Sequence, residues 1–357
     1  MMSALHAPDG GHPLIITGMH RSGTSLLASL FASAGVSLGT RLIGASRGND
    51  RGHYEDVDFY GFHARALDAN GVRAEGFACV EELAVPATMQ DEAAALVAAK
   101  AAAGETWGWK DPRTALFLDF WGGILPEGRF VFVFRSPWEV VDSLFRRGDQ
   151  TFIANPALAA RVWLHYNRRV VDFYRRSQSR CVLAEVTQVV ADPAALFASV
   201  RQRLGVPVGD PQPRYEEQLL VRDVGVRREA IIAALLPEAI NLYAEMRQLA
   251  GLPAASRHQP PSGAAPIAEH AIAEWSQSVI AEDGRRRLEA EHAAVGAALR
   301  AAEARIAALD LEKRAIQGKL REVQDVTEEL AAQVQRCVLE ESQTEAVEVQ
   351  PADAHAA

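Results

Sequence analysis

The sequence predicts an α/β protein, a parallel sheet flanked by helices and continued by a C-terminal α-helical coiled coil. Three observations carry this reading. Short apolar runs at Leu14–Ile16, Arg129–Phe134 and Cys181–Glu185 alternate with segments of helical periodicity, the order that a parallel sheet with crossover helices requires. A glycine loop separates the first run from the helix after it. From Leu288 onward, apolar residues recur in alternating steps of four and three, the spacing of a coiled-coil seam.

Residues 1–12 form a polar lead-in containing Gly and Pro. Leu14, Ile15 and Ile16 suit a buried strand, Gly18 and Gly23 bracket a loop, and Thr24 to Phe31 opens a helix. Strand, glycine loop and helix N-terminus together can hold phosphate on backbone N–H groups and the positive end of a helix dipole. Gly18-xxxx-Gly23-Thr24-Ser25 is similar to a P-loop with one change, so the predicted sheet is of the P-loop type. Thr24 stands where a nucleotide triphosphatase has Lys, and the basic residue comes earlier, at Arg21. The loop therefore suits a phosphate group better than a triphosphate. His20, Arg21, Ser22, Gly23, Thr24 and Ser25 are its candidate binding residues.

Gly35–Asp56 is rich in Gly and polar residues and lacks periodicity, as expected of a loop over a site. Helices follow at Val57–Asp68 and Asp91–Ala103. Thr106–Lys110 reads as a strand ending in a cation; Asp111-Pro112 breaks it, and Thr114–Trp121 reads as a helix. Arg129–Phe134 (RFVFVF) is fit for the sheet centre and ends at Arg135. Ser136-Pro137 then starts a helix running to Arg147, and Pro156–Ser177 is a long amphipathic helix. After the strand Cys181–Glu185, Asp192-Pro193 opens a helix that closes at Leu204-Gly205. Lys110, Arg135 and the first loop all follow strand ends, where ligands bind in parallel sheets.

The globular region is read as 13–250, with a Pro/Gly/Ser linker at 251–266, a helical coiled coil at 267–340 and a disordered tail at 341–357. The seam runs from Leu288 to Cys337. Lys313 and Thr327 on it weaken association and help to fix register. Self-association, or tethering to a partner, is expected through this segment.

Composition limits the remaining possibilities. A net charge of −9 argues against broad nucleic-acid binding. Cys79, Cys181 and Cys337 are far apart and read as free thiols of a reducing compartment. No secretory signal is legible and no apolar run approaches the roughly 20 residues that span a bilayer, so a cytoplasmic protein without a transmembrane segment is expected. The preference for Arg over Lys and the abundant Ala suggest a GC-rich bacterial genome.

A triphosphatase places a metal-binding acid at the end of a second strand; here Arg135 occupies that place. The expected ligand is an anion held without metal. Arg135 and Ser143, eight residues apart, can reach one crevice from a strand end and the following helix.

Thr17–Leu27 taken with Arg135–Ser143 resembles the sulfotransferases that use 3′-phosphoadenosine 5′-phosphosulfate (PAPS). Their first loop usually reads Pro-Lys-Ser-Gly-Thr, whereas this one reads His20-Arg21-Ser22-Gly23-Thr24, the variant found in tyrosylprotein and many bacterial sulfotransferases. Trp109-Lys110-Asp111-Pro112 is similar to their Lys-Asp-Pro element. The resemblance covers roughly 13–205. It implies PAPS as co-substrate, the first loop on its 5′-phosphosulfate, and Arg135 with Ser143 on its 3′-phosphate. Arg21 and Lys110 are then the catalytic cations, and either Glu55 or His53 is the base. A Tyr-Glu pair usual in the family is Ala184-Glu185 here, and Trp163 is expected in the core rather than against an adenine. The acceptor is expected to be a glycan, glycolipid or other small hydroxyl compound, contacting Gly35–Asp56 and Val206–Ala250. The competing readings are a nucleotide-dependent small-molecule kinase and a coiled-coil scaffold with an inactive P-loop-like domain.

Overall fold

The computed structural model describes residues 12–44, 53–102, 106–212, 226–253 and 265–348. The expected lead-in at 1–11, the centre of the loop at 45–52, part of the expected acceptor region at 213–225, most of the linker (254–264) and the end of the tail (349–357) lie outside the described residues. Four parallel strands form one sheet: β1 (Leu14–Thr17), β2 (Gly108–Lys110), β3 (Arg129–Phe134) and β4 (Cys181–Glu185), in the order β2-β1-β3-β4. The helices in chain order are α1 (Thr24–Ser33), α2 (Val57–Asp68), α3 (Gln90–Ala101), α4 (Leu118–Ile124), α5 (Pro137–Arg147) and α6 (Gln150–Ala154). They continue with α7 (Pro156–Arg176), α8 (Val186–Ala191), α9 (Pro193–Leu204), α10 (Val226–Leu235), α11 (Pro237–Leu249) and α12 (Ala265–Glu348).

Alternation along β3 explains its unbroken apolar run. Phe130, Phe132 and Phe134 enter a core shared with Ile15, Trp109 and Trp163, while Val131 and Val133 enter a second core with Leu14 and Ile16. Helices α1 and α9 cover the second face, where Phe31 stacks on Phe197 at 4.5 Å. A strand buried on both faces has no polar alternation to show. In register, Ile16 lies opposite Lys110 and Val131, and Phe134 opposite Glu185. The residues just beyond these positions thus emerge together at the carboxyl edge.

Three expectations change. The single helix expected at Thr114–Trp121 is a 3-10 turn over Pro112–Leu116, then α4. The Asp111 carboxylate accepts from Arg113 N at 2.9 Å and tightens that turn. The compact unit extends to Asp283 rather than 250, because the first turns of α12 bury Ala268, Ile272, Trp275 and Val279. Trp275 Nε1 donates to Asp142 at 3.1 Å. At the other end, α12 runs to Glu348, into the expected disordered tail; residues 341–348 contain neither Gly nor Pro to stop it. No helix among the described residues is long and apolar enough to cross a membrane.

Candidate active site

The loop after β1 is shaped by two glycines. Gly18, at φ 153°, lies against β3, and a Cβ there would stand 2.1 Å from the Val133 carbonyl oxygen. Gly23, at φ 96°, caps α1, and a Cβ there would meet Val186 Cγ2 at 2.4 Å. No side chain caps the N-terminus of α1, and Ser25 Oγ in its first turn donates to the His53 carbonyl oxygen at 3.3 Å. Arg21 adopts φ 66°, an unusual conformation for a non-glycine residue that costs about 1 kcal/mol or more. Ser22 Oγ and His20 Nε2 are buried with no hydrogen-bond partner. Two buried polar atoms in one loop left without partners call for a bound polar group, and with Nε2 carrying the His20 proton both can donate to an oxyanion.

Lys110 enters from the end of β2. Its Nζ donates to Glu55 Oε1 at 2.6 Å, to the His53 carbonyl oxygen at 2.9 Å and to Ser25 Oγ at 3.1 Å. Only 2% of Lys110 is exposed. Burial pushes the Lys110 ammonium down and the Glu55 carboxyl up, each change opposed by the other's charge. Glu55 Oε2 has no hydrogen-bond partner and lies 3.9 Å from His53 Nδ1. Burial, then Lys110, Arg147, Arg21 and Arg113, lower His53 to about 4. The same kind of burial and surrounding cations hold His20 well below its ordinary value.

The third wall comes from β3 and α5. Arg21 Nε donates to Ser143 Oγ at 2.8 Å, joining the first loop to α5. Arg135, 5% exposed, pairs with Glu139 Oε1 at 3.3 Å, and Ser136 Oγ donates to the other oxygen of the same carboxylate. Trp163 Nε1 donates to the Arg135 carbonyl oxygen at 3.1 Å, and the ring is fully buried; the expectation that it belongs to the core holds.

The family model described as the sulfotransferase family matches residues 13–210, which contain every residue of these three walls. The chain belongs to the sulfotransferase family. It is similar to the sulfotransferase domain from the Synechococcus PCC 7002 olefin synthase, at 21% identity over 76% of this chain and 98% of that one, TM-score 0.36. It is also similar to sulfotransferase STF9 from Mycobacterium avium (14% identity, 70% of this chain and 79% of that one, TM-score 0.45). A third similar structure is sulfotransferase STF1 from Mycobacterium tuberculosis H37Rv (14% identity, 55% and 67%, TM-score 0.33). No curated protein matches the chain.

The candidate site contains more than the sequence suggested. Asp111, fully buried, accepts from Arg113 Nη1 at 2.8 Å and lies 2.9 Å from His63 Nδ1. Trp121 Nε1 donates to His63 Nε2 at 2.9 Å, so the His63 proton sits on Nδ1 and is donated to Asp111. Burial raises the Asp111 carboxyl, but Arg113 and His63 outweigh it and hold it well below the carboxylate range. Thr17 Oγ1 donates to the Asp111 carbonyl oxygen at 2.8 Å. This buried network fixes the turn from which Lys110 projects. Arg113 has a signal in the sequence, as the residue after Lys-Asp-Pro, that was not used; His63 and Arg147 lie on helices whose packing the sequence does not state. Glu185, at the end of β4, pairs with Arg247 at 2.7 Å and accepts from the Tyr243 hydroxyl, binding α11 to the sheet edge.

An open cavity of about 400 Å³ lies on α7, lined by Cys79, Leu118, Arg161, His165 and Arg168 among others. None of its lining residues belongs to the three walls, and its Arg169 and Arg176 are engaged by backbone carbonyls and Asp119.

Proposed function

We propose that this chain transfers a sulfuryl group from PAPS to a hydroxyl of a carbohydrate or glycolipid. The observation that carries the reading is the loop Gly18–Ser25, with Ser22 Oγ and His20 Nε2 buried and unpartnered beside Arg21 and Lys110. These groups suit a phosphosulfate: donors converge on one anion, and a cation stands early in the loop rather than at the Walker Lys position. When bound, PAPS supplies the activated sulfuryl group. Gly18, His20, Ser22, Gly23, Thr24 and Ser25 hold its 5′ end, and Arg135 and Ser143 hold its 3′-phosphate.

Arg21 and Lys110 stabilise charge that builds on the sulfuryl oxygens and the leaving phosphate. Glu55 takes the acceptor proton. Its raised pKa makes it the stronger base of the two candidates, because His53 is lowered to about 4. His53 instead lines the site and lends its carbonyl oxygen to Lys110. The glycan acceptor is the class implied by the family resemblance of Thr17–Leu27 and Arg135–Ser143.

A thermal-shift series separates this reading from its rivals. Adenosine 3′,5′-bisphosphate without Mg²⁺ is expected to raise Tm by several degrees. A larger shift with Mg·ATP would replace the proposal by a kinase. No response to either would leave the helical segment as the working part. Incubation of the enzyme with ³⁵S-labelled PAPS and glycan, lipid and protein fractions then identifies the acceptor; label confined to protein would remove the glycan assignment.

A further inference from the structure

Residues 284–340 belong to a second unit and form a continuous helix exposed along nearly its whole length. Ten large apolar residues on one seam, from Leu288 to Val334, are 46–68% exposed. Single exposed apolar residues are ordinary, but a stripe kept over seven heptads is an unpartnered face.

With Leu288 at position d, the a positions are His292, Leu299, Ile306, Lys313, Leu320, Thr327 and Val334. The d positions are Leu288, Val295, Ala302, Leu309, Ile316, Val323, Leu330 and Cys337. All three polar residues of the seam, His292, Lys313 and Thr327, therefore stand at a, and none at d. Antiparallel pairing sets a against d′ and opposes each polar residue to an apolar or thiol side chain. Parallel pairing in register sets a against a′, confining polarity to three matched layers; a shift by one heptad destroys that match. The flanking charges agree. In parallel register Arg305 at g meets Asp310′ at e, and none of the g–e′ pairs from Glu291 to Val338 sets like charges together.

We propose that this seam is the interface of a parallel, in-register coiled coil with a second copy of this chain. The inference stands on the helix and is independent of the donor assignment. Parallel pairing sets the two Cys337 thiols side by side at a d layer. A centred antiparallel pair would hold them about 75 Å apart, at about 1.5 Å per residue.

The test uses the full chain carrying Cys79→Ser, which removes the other exposed thiol. Light scattering during gel filtration is expected to give a mass above the monomer. A short bis-maleimide is expected to link two chains, and Cys337→Ser is expected to abolish the link. Ile306→Asp with Leu320→Asp is expected to give a monomer that still binds adenosine 3′,5′-bisphosphate as the parent does. A monomeric parent, an assembly without the Cys337 link, or association surviving the double Asp change would each overturn the proposal.

Discussion

Arg21 Nε donates to Ser143 Oγ at 2.8 Å across 122 residues of sequence, joining the glycine loop to the helix after β3. The two residues expected to grip separate ends of the donor are thus in contact. Arg21→Ala is expected to lower kcat/KM about 100-fold or more, as loss of a charge-stabilising donor does, while Tm stays near the parent's. Ser143→Ala removes one hydrogen bond to a charged group, worth about 1.5 kcal/mol. Adenosine 3′,5′-bisphosphate should then bind about tenfold more weakly by calorimetry. Unchanged affinity in both variants would take this wall out of the donor site.

Glu55 is the predicted base, so its pH behaviour is specific. Burial raises its carboxyl above the ordinary value, with Lys110 opposing. Activity must therefore fail on acidification at a higher pH than an exposed Glu, which titrates near about 4.3, would give. Glu55→Gln is expected to lower kcat at least about 100-fold and to remove that acid limb. His53→Gln should keep it. A profile lost with His53 and kept with Glu55 would reverse the assignment.

The two site histidines carry a stability signature. Both have folded-state pKa values below that of the unfolded chain, about 4 for His53 and lower than ordinary for His20. Between about 6.5 and about 4 the unfolded chain binds these protons first, so stability falls as pH falls through that window. Tm measured from pH 7 to pH 4 should decline, and His20→Asn with His53→Gln should flatten the slope. An unchanged slope would locate the titrating groups elsewhere.

Asp111 is fully buried between Arg113 and His63. Asp111→Asn leaves Arg113 without its charge partner and should cost about 3 kcal/mol of stability in urea unfolding. Parental stability with unaltered activity would show that the network does not hold the Lys110 turn.

Gly18 lies so close to β3 that a Cβ would stand 2.1 Å from a backbone oxygen. Gly18→Ala must displace either the loop or the strand. It should lower Tm markedly and abolish nucleotide protection, whereas Gly35→Ala, where a Cβ would meet open space, should strain only its own positive φ.

The boundaries of β3, β4, α2 and α5 were readable because their signals are local. These are an apolar run wholly inside the sheet, a Ser-Pro start, and a helix period beginning after an N-cap Asp. Of the candidate site, the loop, Lys110 and Arg135 were legible because each stands at or just after a strand end, and Ser143 because it lies two turns along the helix that follows Arg135. His63 and Arg147 were not, because nothing in their own neighbourhoods distinguishes them from residues on any helix. The extension of the compact unit to Asp283 was hidden in the same way. Ala268, Ile272, Trp275 and Val279 make a helical stripe whose cover, around Phe145 and Asp142, is more than a hundred residues distant.

The sequence by itself determined the parallel α/β sheet and the glycine loop after its first strand. Those depend on short-range periodicity and on glycines that permit one backbone path. Only the tertiary structure decided that Arg21 meets Ser143, that Glu55 shares Lys110 with Ser25 and the His53 carbonyl, and that burial and nearby cations lower His53 to about 4. Those facts depend on burial and on charges brought together by the order β2-β1-β3-β4, and burial at a distance leaves no mark on the local sequence.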